Sequence, residues 1–129
     1  MKRRVHEFDP VLYPRKIWVV SGKDIADAIQ DSFRTPNDDT LNLTGWRGAN
    51  AGTWAVKMVE DGKLGVMVWL ISEKVSIETI AHEAVHVADC IFRDCGIEYD
   101  TTNDEHFAFF VGHIADWIWQ VANTKEEAK

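Results

Sequence analysis

The 129-residue sequence predicts one α+β domain: a small mixed sheet in the first half, then two long helices. Three observations carry this. Two β-rich runs meet at Asp61-Gly62, the apolar positions from Ile77 to Phe92 recur at helical spacing, and a second helical pattern fills the chain from Asp104 to Val121. The 46% hydrophobic content suffices for one packed core, with residues 1–122 as the domain and Asn123–Lys129 as a frayed tail.

In chain order, Ile17–Val20 is a short apolar strand that ends at Ser21-Gly22. Ile25, Ala26, Ala28, Ile29 and Phe33 then follow with the spacing of a helix, closed by the turn-forming stretch Thr35–Asp39. Thr40–Asn50 reads as a loop with strand potential. Thr53–Glu60 and Lys63–Ile71 form a hairpin about Asp61-Gly62, and the second run is so apolar that both its faces are expected to be covered. Ser76 is placed to cap a helix through Asp94, stopped at Gly96, and Thr102 or Asn103 to cap the last helix.

The formal net charge of −7 disfavours nucleic acid and anionic membranes as partners. The basic start Met-Lys-Arg-Arg is followed by Glu7, Asp9 and Pro10 instead of the apolar core of a signal peptide, and no run reaches membrane-spanning length, so a cytoplasmic protein is expected. Cys90 and Cys95 fit a pair of free thiols, Cys90 half-buried and Cys95 in a loop.

His82-Glu83-Ala84-Val85-His86 is an HExxH motif on the predicted 76–94 helix. Spacing of four residues sets both imidazoles on one face, one turn apart, where they reach a single ion; Glu83 projects beside it, placed to take a proton from a metal-bound water. Around this motif Ile77, Ile80, Ala81, Ala84, Val85, Val87, Ala88, Ile91 and Phe92 make most of the circumference apolar, leaving His82, Glu83, His86 and Asp89 as a narrow polar stripe. Burying such a stripe costs several kcal/mol, roughly 2 to 7 per group, unless the groups are paired or bind metal. The alternative is a partly exposed helix whose histidines face solvent.

A catalytic zinc takes three protein ligands and keeps one position for water. The extended HExxHxxGxxH pattern is excluded by Asp89 and Phe92, so the third ligand is sought downstream. On the last helix Glu105, Ala108, Gly112 and Ala115 share one stripe, small beyond the first residue, which would let that helix approach the motif helix closely and deliver the Glu105 carboxylate. The competing role for Glu105 is a capping box with Thr102. His106 and His113 are rival ligands off that stripe. Asp89 is placed to orient an imidazole, and Tyr99 to stabilise an oxyanion.

With Ile80-Ala81-His82-Glu83-Ala84-Val85-His86 followed by Asp104-Glu105-His106-Phe107-Ala108-Phe109-Phe110-Val111-Gly112-His113-Ile114, the chain resembles the small zincin-like metallopeptidases often encoded by bacteriophages and prophages. The likeness spans about a third of the chain. It implies a minimal zincin-like fold, Zn2+ as cofactor, a peptide or protein substrate, and the host cytoplasm as location if phage-encoded. As in glutamate-type zincins (gluzincins), it implies His82, His86 and Glu105 as ligands and Glu83 as general base and acid. Several such enzymes have an aspartate four residues after the ligand glutamate; here that position is Phe109, so support of an imidazole falls to Asp89 or a backbone carbonyl. The resemblance further implies that an extended substrate pairs with a sheet edge, for which Lys63–Ile71 is the expected strand. The rival expectation is a zinc-binding module of the same fold that binds a partner protein without hydrolysis, and a third is a metal-free interaction domain.

Overall fold

The computed structural model describes residues 5–46 and 48–124. The basic start, Met1–Arg4, and tail residues 125–129 therefore lie outside the described residues. The elements are β1 (Val5–Phe8), β2 (Lys16–Ser21), α1 (Ala26–Ser32), β3 (Phe33–Arg34), β4 (Ala51–Met58), β5 (Leu64–Leu70), α2 (Ile77–Asp94) and α3 (Glu105–Ala122). The chain is an α+β domain around one five-stranded mixed sheet in the order β1-β2-β5-β4-β3. Among the described residues only the β2–β5 pair is parallel.

β2 and β5 are central, which explains their unbroken apolar runs: a strand covered on both faces has no polar side. Ile17, Val19, Val66, Val68 and Leu70 face α2 and α3, while Trp18, Val20, Met67 and Trp69 face α1 and the 41–49 segment. The two buried indoles have partners for their N–H groups, Trp18 donating to Glu7 Oε1 (2.9 Å) and Trp69 to the Gly22 carbonyl (2.7 Å). Gly65 lets β5 lie close to β2, since a Cβ there would stand 2.1 Å from the Lys16 carbonyl oxygen.

Four sequence expectations need correction. The Lys63–Ile71 run cannot be the free edge for a substrate, because β5 is hydrogen-bonded on both sides. β1 was not expected; it pairs antiparallel with β2, its Val5, His6 and Phe8 half-buried, from a stretch whose charged residues hide the strand pattern. The β4–β5 turn is wider than Asp61-Gly62 alone: Met58 donates to Lys63 O (2.9 Å) and the Asp61 carboxylate accepts from Lys63 N (3.0 Å), so the strands end earlier. Neither Thr102 nor Asn103 caps α3. Thr102 bonds the Asp100 carboxylate through its N–H and hydroxyl, Asp104 occupies the N-cap, and no side chain bonds the helix start.

Ser76 caps α2 as expected, its hydroxyl accepting from Thr79 N (3.1 Å), and Gly96 follows the helix at φ +72°, a left-handed conformation that glycine adopts without strain. Ile80, Ala84, Val87, Ala88 and Ile91 bury the sheet-facing side of α2; Phe110, Ile114, Ile118 and Val121 do the same for α3. Among the described residues no helix is long and apolar enough to cross a membrane.

Candidate functional site

The HExxH segment lies in the middle of α2, where the backbone bonds are all internal and the side chains alone decide what each residue meets. Glu83 turns inward and is only 6% exposed, the one buried charged residue among those described. Its Oε1 accepts a 2.6 Å hydrogen bond from Thr53 Oγ, on β4. A buried carboxylate without a partner is destabilising by several kcal/mol, and a hydrogen bond to a charged group recovers roughly 1.5–3 kcal/mol. His82 and His86 project from the exposed side of the same helix. Their Nε2 atoms stand 3.1 Å apart, with the rings edge-to-face at 4.6 Å.

These three side chains open onto one cleft of about 450 Å³ between α2 and β4. Its β4 wall is built of Ala51, Gly52, Thr53 and Ala55, and its α2 wall continues through Asp89, Cys90 and Arg93. Alanines on either side of Thr53 in the row that faces α2 leave the space that larger side chains would fill. Burial pushes the Cys90 thiol up from its ordinary pKa, so it stays a neutral thiol at physiological pH. Both cysteines are free and half-buried.

The outer edge of β4 borders this cleft. Among the described residues β3 covers β4 only at Lys57 and Met58, leaving Ala51–Val56 without a strand on that side. Met58 N donates to Lys63 O and Asn50 O accepts from Ile71 N, both towards β5, whereas Val59 N donates to Ser32 O on the opposite side. By antiparallel alternation the backbone N–H and C=O of Ala51, Thr53 and Ala55 point outward. These three outward-pointing residues are also the three whose side chains line the cleft.

The spacing of the two imidazole nitrogens, though not the number of ligands, matches a metal site. Two nitrogens each bonded at about 2.0–2.1 Å to a tetrahedral zinc stand roughly 3.3–3.4 Å apart, near the observed separation. The same 3.1 Å suits an N–H···N hydrogen bond in the metal-free protein, one ring donating and the other accepting.

The remaining candidates are placed elsewhere. Glu105 is exposed in the first turn of α3, does not line the cleft, and makes no ion pair or side-chain hydrogen bond among the described residues; it is neither beside the histidines nor part of a capping box. The small-residue stripe does not bring the helices together: Ala108 and Gly112 are exposed, and a Cβ on Gly112 would meet nothing. The helices instead pack through large residues, Phe92 against Phe107 and Phe110. Phe92 lies roughly 120° around α2 from His86, so α3 docks on a different flank from the histidines.

His106 and His113 are exposed on α3 and also outside the cleft, His113 lying beside the Trp117 ring. Asp89 lines the cleft but forms an ion pair with Arg93, one turn on, instead of accepting from an imidazole. Tyr99 packs its ring on Phe107, away from the cleft. Among the described residues no group of three His, Cys, Asp or Glu side chains is placed to hold a metal ion.

α2 also differs from the apolar cylinder its composition predicts. Ile77 is 78% exposed and Val85 46%, so the histidines occupy an open face and only Glu83 meets the burial argument. Thr53 is the residue that sequence reasoning missed. Its one signal, a hydroxyl between two alanines in a β row, becomes meaningful only when β4 is known to face α2. Compared with protein-family models, curated proteins and solved structures, the chain has no match, so the geometry of this cleft is the ground for any functional reading.

Proposed function

We propose that the protein is a zinc-dependent metallopeptidase of zincin-like architecture, with the cleft between α2 and β4 as its active site. The observation that carries this reading is the convergence of the His82 and His86 Nε2 atoms to 3.1 Å beside a buried carboxylate, at a free strand edge. Bound between the imidazoles, zinc supplies a Lewis acid that polarises a carbonyl and lowers the pKa of water.

The chain's own groups do the rest. The outward backbone groups of Ala51, Thr53 and Ala55 pair with an extended peptide, laying its backbone along the cleft. Glu83, buried and held by Thr53, takes the proton from the attacking water and delivers one to the leaving amine. His82 and His86 hold the metal. Glu105, whose exposed carboxylate is otherwise unengaged, is the proposed third ligand, although the structure places it outside the cleft. The cytoplasm is the proposed location, and a peptide or protein the proposed substrate.

One observation favours a second reading, a zinc-binding module that binds a partner protein without hydrolysis: no third ligand stands at the histidine pair among the described residues. Two measurements decide. Elemental analysis of untagged protein, expected to give one zinc per chain, tests the site; zinc-dependent cleavage of an unstructured protein such as casein, abolished by Glu83→Gln, tests the chemistry. Protein free of metal from a zinc-replete preparation would sink both readings, and metal without cleavage would leave the binding module.

A further inference from the structure

We infer that Thr53 is a positioning residue for the reaction, holding the Glu83 carboxylate in its working orientation from the strand on which the substrate is laid. The inference rests on the reading of Glu83 as general base. Three observations carry it. Glu83 is nearly fully buried, so its orientation is set by the protein and not by solvent. The Thr53 hydroxyl, at 2.6 Å from Oε1, is the hydrogen-bond donor it has among the described residues. β4, which carries Thr53, is fixed along its inner side by the β5 ladder from Ala51 to Lys57, so the donor stands on a rigid support.

One carboxylate oxygen is thus engaged by Thr53, while Oε2 has no hydrogen-bond partner among the described residues and is the oxygen assigned to the water. A carboxylate acting as base must present one lone pair along the line of the proton it removes, and tying the other oxygen narrows the orientations open to a side chain with three rotatable bonds. The arrangement also links binding to chemistry. The backbone groups of Thr53 point outward for the peptide while its hydroxyl points inward to the base, so one residue sets the distance between the substrate strand and Glu83.

The test replaces the hydroxyl while keeping the shape. Thr53→Val is isosteric, Thr53→Ser restores the donor, and Thr53→Ala, matching its neighbours Ala51 and Ala55, serves if valine impairs folding. With the zinc-loaded protein, Thr53→Val or Thr53→Ala should keep metal content and KM within about twofold and lower kcat at least tenfold, with Thr53→Ser recovering most of the loss. A folded, zinc-loaded Thr53→Val or Thr53→Ala with kcat within twofold of the parent would overturn the assignment.

A second readout needs no activity. In the metal-free protein Thr53→Val should lower the Tm by about 3–6 °C with Glu83 present and by much less in a Glu83→Leu background, since the bond is then already gone; equal losses in both backgrounds would also overturn it. Failure of the peptidase reading is seen in the parent alone, as zinc-loaded protein that cleaves nothing, and so is not confused with failure of Thr53.

Discussion

At the scale of single residues, Glu83 and the two histidines differ in exposure, and the proposed roles follow that difference. Four-residue spacing puts the imidazoles at the open mouth of the cleft, while the residue between them is rotated inward and loses its water. Glu83→Gln preserves volume and can still accept from Thr53, so the fold and zinc content should survive. What disappears is the basic oxygen, and general-base catalysis is worth about 10²–10⁴ in rate. Peptide cleavage by Glu83→Gln should therefore fall by at least a hundredfold at unchanged zinc stoichiometry; activity equal to the parent in a cleavage assay would remove Glu83 from the mechanism. The motif itself was legible because helical periodicity alone places its side chains. The Thr53 partner was not, being 30 residues away in sequence and adjacent only through the sheet.

At the scale of elements, β4 and α3 each decide something that local patterns leave open. β4 is an edge because β3 is two residues long, so proline can be introduced there selectively. Ala55→Pro removes an outward N–H and spares the ladder to β5; it should leave the protein folded and raise KM for extended peptides several-fold, as steady-state kinetics would read. Val56→Pro, whose N–H points into the ladder, should instead destabilise the fold. For α3 the comparison is among its three polar candidates. Glu105→Ala should weaken zinc binding at least tenfold in a chelator competition, with little change in metal-free stability because Glu105 caps nothing. His106→Ala and His113→Ala should keep the metal. Zinc retained by Glu105→Ala and lost by either histidine variant would reassign the third ligand. The small-residue stripe misled because close helix approach is only one use of small side chains; here Phe92, Phe107 and Phe110 supply more buried area, and Ala108 and Gly112 face water.

At the scale of the molecule, the sheet separates two cores. One holds α2 and α3 against the aliphatic faces of β2 and β5; the other gathers Trp18, Trp69, Phe33 and Met67 under α1 and the 41–49 segment, with Trp46 and Trp54 at its margin. The proposed metal joins side chains on the outer surface of the first core, so its removal leaves both cores intact. A ligand bound only by the folded state stabilises by RT ln(1 + [L]/Kd), about 4 kcal/mol at a thousandfold excess over Kd. Chelation should accordingly lower the Tm by several degrees without changing the far-UV circular dichroism, and His82→Ala or His86→Ala should show the lower Tm with and without added zinc. A Tm indifferent to chelator in the parent would mean that no metal is bound there.

From sequence alone came the elements whose signals are local: a β4–β5 hairpin near Asp61-Gly62, α2 from its Ser76 cap to its Gly96 stop, the helical run that becomes α3 and the spacing of His82, Glu83 and His86. Periodicity and capping fix these because each depends on residues within a turn or two of one another. Tertiary structure alone decided which strand is the edge, that Glu83 meets Thr53, that α3 docks through phenylalanines on the flank away from the histidines, and that Glu105 stands apart from them. These follow from how separate elements share one sheet, and the free energy that selects among such packings is spread over both cores instead of being written in any local pattern.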